Sequence, residues 1–235
     1  MVAVLYSSVG HAGASGYLAV MAFLAVAPEL TRPTALVLNL FVASIGTVQF
    51  FRAGYFSWRI FWPFALTSIP MSFVGGSLTL PTHIYKMVLG AVLIFAAVRL
   101  AWKISSETEA RYPNIAVGLV IGALIGLLSG LVGVGGGIFL TPVLLLMNWS
   151  ETKTAAGVSV VFILVNSMAG LFGNWLLGKN SQLANLPPEV WIWITAAIVG
   201  GLVGSTLGSR KYNSITLRRV LAVVLLFAGV KLIFV

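Results

Sequence analysis

Hydrophobic residues fill this chain in long stretches, and polar or charged residues are found mainly in the short gaps between them. The stretches cover residues 2–27, 34–51, 60–80, 84–102, 114–147, 155–178, 188–208 and 216–235. Most of them approach the roughly 20 residues that a helix needs to cross a bilayer. They lack the alternation of apolar and polar residues that is typical of the strands of a transmembrane barrel. The pattern therefore predicts an all-α, polytopic membrane protein.

The stretch 114–147 is too long for a single crossing. Its 34 residues would extend about 50 Å as one helix, whereas the hydrocarbon core of a bilayer is about 30 Å thick. The run Gly133-Val134-Gly135-Gly136-Gly137 lies near its middle, and each glycine destabilises a helix by roughly 1 kcal/mol. We expect a helix, a break within the membrane, and a second, shorter helix that begins at Ile138. Residues 2–27 have the same plan in shorter form, with the break at 10–16.

The basic residues indicate whether the chain crosses the membrane at this break or turns back. The 14 lysines and arginines divide 7 against 7 between the two faces if every stretch crosses, and 10 against 4 if 114–147 enters and returns. Cytoplasmic loops carry the excess of basic residues, so the uneven division favours a re-entrant segment. The larger group comprises Arg52, Arg59, Arg99, Lys103, Arg111, Lys153, Arg210, Lys211, Arg218 and Arg219.

The two halves of the chain share sequence. Residues 92–100 read VLIFAAVRL and residues 224–232 read VLLFAGVKL, so every position is identical or chemically similar. Internal duplication in a very apolar chain is typical of membrane transporters, whose binding sites lie between the repeats. We predict two inverted four-segment repeats, 1–103 and 114–235, each starting with a broken or re-entrant helix, and a cytoplasmic linker at 104–113. A parallel duplication with eight full crossings is the alternative.

Composition supports the membrane assignment and excludes several functions. Hydrophobic residues make up 59% of the 235 positions and charged residues only 8%, whereas soluble domains carry about 25% charged residues. The net charge of +9 comes from basic residues at the ends of apolar stretches, where they anchor helices, so no nucleic-acid partner is expected. The absence of cysteine excludes a disulfide framework and a thiolate metal site. We expect neither a cofactor nor a bound metal.

A glycine-rich motif resembles that of a known family. Residues 128–142 read LSGLVGVGGGIFLTP, and residues 155–159 read AAGVS. This resembles the TauE/SafE sulfite exporter family, whose repeats carry a G-x-G-G-G…P signature and then an A-x-G-T-S-like stretch. The first repeat matches more loosely, with GHAGA at residues 10–14. The resemblance implies a multi-pass permease of the bacterial inner membrane, not an enzyme, that exports sulfite, an organosulfonate or a related small sulfur-containing anion.

Backbone amides at the two breaks are the predicted binding groups. Peptide groups freed inside a bilayer are tolerated only where they are packed in protein or line a wet cavity, and amides at a helix N-terminus favour anions. We expect the substrate to bind there, between the repeats, with alternating access. The candidate substrate-binding residues are His11, Gly13, Ser15, Asn39, Gly135, Gly136, Gly137 and Ser159. Close helix packing by the glycines and a structural role for His11 are the alternatives.

No arginine is expected at this site. The sequence Glu29-Leu30-Thr31-Arg32 is interpreted as a helix cap with a solvated charge pair at the surface, which contributes little to stability. The predicted anion site and the apolar composition make a small anionic substrate and the lipid bilayer the expected partners of the protein. Whether the chain forms a homo-oligomer stays open.

Two other functions compete with this one. A carrier or channel of the same architecture could move another small solute, although a metal cation is disfavoured because the chain has no cysteine and no acidic residue at the predicted midplane. The sequence Gly13-Ala14-Ser15-Gly16 also fits the pattern around the nucleophile of rhomboid intramembrane serine proteases. Its base would have to be His83, which Pro81 places at a helix end, so the required geometry is not expected to form.

Overall fold

A computed structural model of the chain describes residues 13–24, 26–101, 112–177, 189–210 and 215–234. The regular secondary structure of these residues is helical throughout, as predicted. The helices are α1 (Ala14–Phe23), α2 (Pro28–Arg52), α3 (Trp58–Ser77), α4 (Thr82–Ala101), α5 (Ile115–Val132), α6 (Gly137–Leu146), α7 (Thr152–Leu177), α8 (Glu189–Arg210) and α9 (Ile215–Phe234). Helices α2, α4, α5 and α7 each contain a stretch long and apolar enough to cross a membrane.

The longest apolar stretch forms two helices, α5 and α6, with a break between them. Helix α5 ends at Val132 and is capped by Gly133, which has a left-handed φ of 88°, and α6 follows Gly136, which has a φ of 83°. Glycine adopts this conformation without the steric penalty that a Cβ atom brings. The predicted break is therefore confirmed, and α6 begins at Gly137, one residue earlier than expected.

Helices α3 and α5 run parallel and in very close contact. Gly118 of α5 lies against Pro63 of α3, and Gly130, three turns further along α5, lies against Ser72. Helix α5 carries a glycine at every fourth position from 118 to 130, which places all of them on one face. A Cβ atom at Gly126 would collide with the backbone of Ser68. These small residues let the two backbones approach closely, as in other membrane helix pairs.

Helices α3 and α7 also run parallel, which shows that the chain turns back at the break. Tyr55, just before α3, packs against Gly157 near the start of α7, and Ser72, towards the end of α3, donates a 2.8 Å hydrogen bond to the carbonyl oxygen of Asn166. Since α5 and α7 are both parallel to α3, both begin at the same end of the bundle. Helix α6 must therefore return the chain to that end.

Aromatic and basic side chains meet at the end where α3, α5 and α7 begin, which we call the Tyr55 end. The Lys153 Nζ atom donates to the Tyr55 hydroxyl at 3.1 Å, and the Arg59 guanidinium lies 3.6 Å from the centre of the Tyr112 ring. The rings of Trp149 and Phe64 lie 6.0 Å apart in the same region. Arg59 and Lys153 thus share one end, as the distribution of basic residues predicted.

Bulk added to the glycine face of α5 is expected to destabilise the protein. The substitution Gly126→Leu forces α3 and α5 apart, and overpacking of this kind typically costs about 1–3 kcal/mol. We expect a lower thermal unfolding temperature in detergent and a smaller yield of monodisperse protein. Ala116→Leu is the matched control, since Ala116 is exposed on the same helix. Equal unfolding temperatures for the two variants would contradict the close packing described here.

The turn at the break is testable by cysteine labelling, because the chain has no cysteine of its own. Single cysteines at Tyr112 and Glu151, which precede α5 and α7, are expected to react with an impermeant maleimide from the same side of oriented vesicles. A cysteine at His83, at the start of α4, is expected to react from the other side. Labelling of positions 112 and 151 from opposite sides would mean that α5 and α6 together cross the membrane.

Candidate functional site

The break between α5 and α6 lies in the interior of the helical bundle. All residues from 133 to 138 are buried. A Cβ atom at Gly135 or Gly137 would lie 2.7 or 2.5 Å from side-chain carbons of Ile163, which is close to the middle of α7. Because α7 is a candidate membrane span, the break is level with the middle of that span.

The break contains backbone N–H groups that have no acceptor among the residues that the structure describes. From Val134 to Ile138, no backbone N–H group donates a hydrogen bond within the described part of the chain. The first such bonds of α6 come from Phe139 and Leu140, which donate to the Gly136 carbonyl oxygen at 3.0 and 3.1 Å. Buried amides without partners are rare because they lose the hydrogen bonds of water without replacement. At a helix N-terminus such amides are suited to a negatively charged ligand.

Asn39 of α2 and Ser167 of α7 close one side of the break. The Asn39 Nδ2 atom donates to the Gly133 carbonyl oxygen at 3.5 Å and to the Ser167 Oγ atom at 3.4 Å. Both bonds are long and therefore weak, and the Asn39 Oδ1 atom is buried and has no partner in the part of the chain that the structure describes. A Cβ atom at Gly135 would lie 3.0 Å from Nδ2 and 3.1 Å from Oγ. Glycine at position 135 thus keeps the space in front of the Asn39 amide open.

Ser159 lies beside the first turn of α6, away from Asn39. The Thr141 Oγ1 atom is 2.8 Å from the Ser159 Oγ atom and 3.1 Å from the Gly137 carbonyl oxygen. Ser159 and Ser167 are two turns apart on α7, a separation of about 12 Å. The structure therefore brings Asn39 to Gly133 and Gly135, and Ser159 to Gly137, but it does not bring Asn39 and Ser159 together.

The candidate residues of the first break surround the start of α1. Gly13 has a left-handed φ of 94°, and the ten-residue helix α1 follows it, as the ten-residue helix α6 follows Gly136. Ser15 lies in the first turn of α1 and is buried. His11 lies outside the described residues. Tyr17 was not predicted at this site: its hydroxyl oxygen is buried, has no hydrogen-bond partner within the described ranges, and would lie 2.9 Å from a Cβ atom at Gly13.

Arg32 is the residue whose position the sequence interpretation got wrong. Its exposed fraction is only 7%, so it is not a solvated surface residue. Its Cα, Cγ and carbonyl oxygen atoms would lie 3.0–3.3 Å from a Cβ atom at Gly133, which places it directly beside the break. The side chain of Glu29, the expected ion-pair partner, lies outside the described side chains. The local sequence gave no signal of this burial, because Glu29 and Pro33 beside Arg32 are typical of a solvated helix start.

The apolar bundle and the buried break define a class of protein, the polytopic membrane transporters. The family described as Sulfite exporter TauE/SafE matches residues 1–232, and the chain belongs to this family. Probable membrane transporter protein y4hK of Sinorhizobium fredii is 40% identical to the chain over 239 residues, which cover 100% of this chain and 95% of that protein. Probable membrane transporter protein YunE of Bacillus subtilis is 23% identical over 233 residues, covering 89% and 82% of the two chains. No solved structure matches the chain.

The family and its relatives make this protein a membrane transporter and not an enzyme. The protease alternative is therefore set aside. The structure agrees with this. A protease would need His83 as a base beside the nucleophile Ser15, but Ser15 is buried in α1 whereas His83 is exposed at the start of α4.

Substitution of Gly135 is expected to abolish transport. In Gly135→Ala, the new Cβ atom fills the space between Ile163 and the Asn39 amide, and the left-handed backbone adds about 1–2 kcal/mol of strain. Gly54→Ala is the matched control, since Gly54 has a similar φ of 75° and no atom lies within 4 Å of its Cβ position. We expect both variants to lose thermal stability from backbone strain, Gly135→Ala more because its Cβ atom also overlaps Ile163, but loss of substrate uptake only in Gly135→Ala. Equal uptake by the two variants would show that the space beside Gly135 has no role in transport.

Proposed function

We propose that this transporter carries a small sulfur-containing anion, such as sulfite or an organosulfonate, across the cell inner membrane by alternating access. The observation that carries the proposal is the row of buried N–H groups from Val134 to Ile138, which lack acceptors among the described residues. The oxygen atoms of a sulfite or sulfonate group accept hydrogen bonds from such donors, and the negative charge makes those bonds stronger. The family description, a sulfite exporter, supports the same substrate class.

Backbone amides suit a carrier because they bind an anion without holding it too tightly. Their partial charges are fixed by the helix, so they require no reorganisation when the anion arrives. A site that transports must bind its substrate strongly enough to accept it and weakly enough to release it. In this proposal, the amides of Gly135, Gly136 and Gly137 bind the anionic group, the Asn39 amide adds a donor, and Ser159 supports the first turn of α6.

The first break supplies the second half of the proposed site. In this proposal the start of α1, with Gly13 and Ser15, offers its amides and a hydroxyl group to the substrate from the other repeat. The Tyr17 hydroxyl, which is buried and has no hydrogen-bond partner among the described residues, is a further donor. His11 either donates to the anion or carries a proton, since an imidazole ring can do both.

Two inverted repeats, 1–103 and 114–235 joined by the linker 104–113, would supply the moving parts for alternating access. Corresponding helices of inverted repeats run in opposite directions. Support comes from α2 and α7, which are antiparallel: Leu36 lies near Gly170, and Gly46 lies against Val160. Helices α4 and α9 are antiparallel too, since Gly90 lies against Ile233 and Ile94 lies against Gly229.

The short helices α1 and α6 also suit an inverted arrangement, because they end at opposite ends of the bundle. Helix α6 leads to the Tyr55 end, where Trp149 packs on Phe64. Helix α1 ends at Phe23, whose carbonyl oxygen accepts a 3.1 Å hydrogen bond from the Lys231 Nζ atom. Lys231 lies near the end of α9, and α9 runs antiparallel to α4, so this contact is at the opposite end. A cation at a helix C-terminus is also favourable for the helix dipole.

Uptake by reconstituted vesicles tests the substrate class. Labelled sulfite, thiosulfate, sulfoacetate and chloride are offered in parallel, with empty vesicles and the Gly135→Ala variant as controls. We expect uptake of at least one of the three sulfur-containing anions, weaker uptake of chloride, and none by the empty vesicles. Movement of a cation while no sulfur-containing anion moves would contradict the proposal and favour a carrier or channel of the same fold for another solute.

A further inference from the structure

We propose that Arg32 supplies the fixed positive charge that attracts the substrate anion to the break and sets the selectivity of the site for anions. This inference rests on the anion transport proposed above. Arg32 is a selectivity-determining residue in this account, in addition to the backbone amides, and it comes from the opposite half of the chain. This role is inferred from the burial of Arg32, from its hydrogen bond to Leu78 and from its packing against Gly133.

Arg32 is buried at the meeting point of two helix ends. Its Nη1 atom donates a 2.7 Å hydrogen bond to the carbonyl oxygen of Leu78, the residue that caps the C-terminus of α3. Its backbone and Cγ atom pack against Gly133, the residue that caps the C-terminus of α5. Carbonyl groups at helix C-termini carry partial negative charge, which makes this a favourable place to hold a cation. The two contacts hold the Arg32 side chain between the C-terminal ends of α3 and α5, with its Cγ atom beside the break.

The charge of Arg32 is not neutralised by an acidic side chain among the described side chains. Within the described part of the chain, Arg32 makes one hydrogen bond, to Leu78, whereas a guanidinium group has five N–H donors. The Leu78 carbonyl group offsets only part of a full unit charge. A buried cation without a counter-charge is unfavourable, so a residue with an apolar side chain would serve helix packing better. The described side chains therefore leave a positive charge beside the break, which can stabilise an anion there.

The position of this charge gives it a function that the amides cannot provide. Backbone amides act over short distances, because their dipoles weaken steeply beyond hydrogen-bond contact. A full charge in a poorly screened interior acts over a longer range, attracting anions and repelling cations. Arg32 would thus raise the local concentration of the substrate, and the amides from Val134 to Ile138 would complete its binding.

The substitution Arg32→Gln removes the charge but keeps an amide donor for the Leu78 carbonyl group. Tyr85→Phe is the control for a structural role, since it removes the 3.3 Å hydrogen bond from the Tyr85 hydroxyl to the Val132 carbonyl oxygen at the same helix end and leaves Arg32 charged. Concentration-dependent uptake of labelled sulfite into vesicles is measured for the wild type, both variants and Arg32→Lys. Thermal unfolding in detergent is measured for all four.

We expect Arg32→Gln to raise KM for sulfite by about tenfold or more, the size expected for the loss of one charge-assisted interaction. Arg32→Lys keeps the charge and should stay within about threefold of the wild-type KM, as should Tyr85→Phe. An unchanged KM in a folded Arg32→Gln variant overturns this inference and leaves the transport function intact. If Arg32→Gln does not fold, a tenfold rise of KM in folded Arg32→Lys overturns it instead. No uptake of any sulfur-containing anion by the wild type overturns the transport proposal itself.

Discussion

The structure depends on one constraint: a helix that breaks inside an apolar bundle leaves peptide groups that lipid cannot satisfy. Such groups must be enclosed by protein or used by a ligand. Here the enclosure comes from α2 and α7, which lie on the break with Asn39 and Ile163, while the amides from Val134 to Ile138 stay without acceptors among the described residues. Buried amides without acceptors would destabilise the core of a soluble protein, but here they are available to bind a ligand.

Close helix packing holds the break in place. The glycine face of α5 brings its backbone against α3, and α3 packs in parallel against α7, where Gly76 and Gly170 are in contact. These contacts bring the C-terminus of α5 to the same region as the middle of α7. Because the contacts are between backbones, the position of Gly133 has little freedom to shift. A rigid frame of this kind is what a preorganised set of amide donors requires.

Both halves of the chain contribute to the surroundings of the second break. Asn39 and Arg32, from α2, reach Gly133 and Gly135, although these residues are about a hundred positions away in the sequence. A movement of one half relative to the other would therefore change the groups that face a bound anion. This is the physical link between the arrangement of the halves and the alternating access that we propose.

Much of this architecture is local in origin, and the sequence by itself determined it. Apolar stretches of membrane-spanning length, the glycine run at 133–137 and the placement of basic residues sufficed to predict helices, the break and the return of the chain, because hydropathy and backbone freedom act within a few residues. Polarity at the predicted depth indicated Asn39 and Ser159, and the glycine run itself indicated Gly135, Gly136 and Gly137.

Only the tertiary structure decided which groups enclose the break. Arg32 has the local sequence of a solvated helix start, yet the packing of α2 against the ends of α3 and α5 buries it. Ser159 has the polarity of a binding residue, yet it pairs with Thr141, and the unpartnered hydroxyl of Tyr17 gave no signal in the sequence. The reason is physical: a side chain's partners depend on which helix faces arrive beside it, and that is a property of the whole bundle.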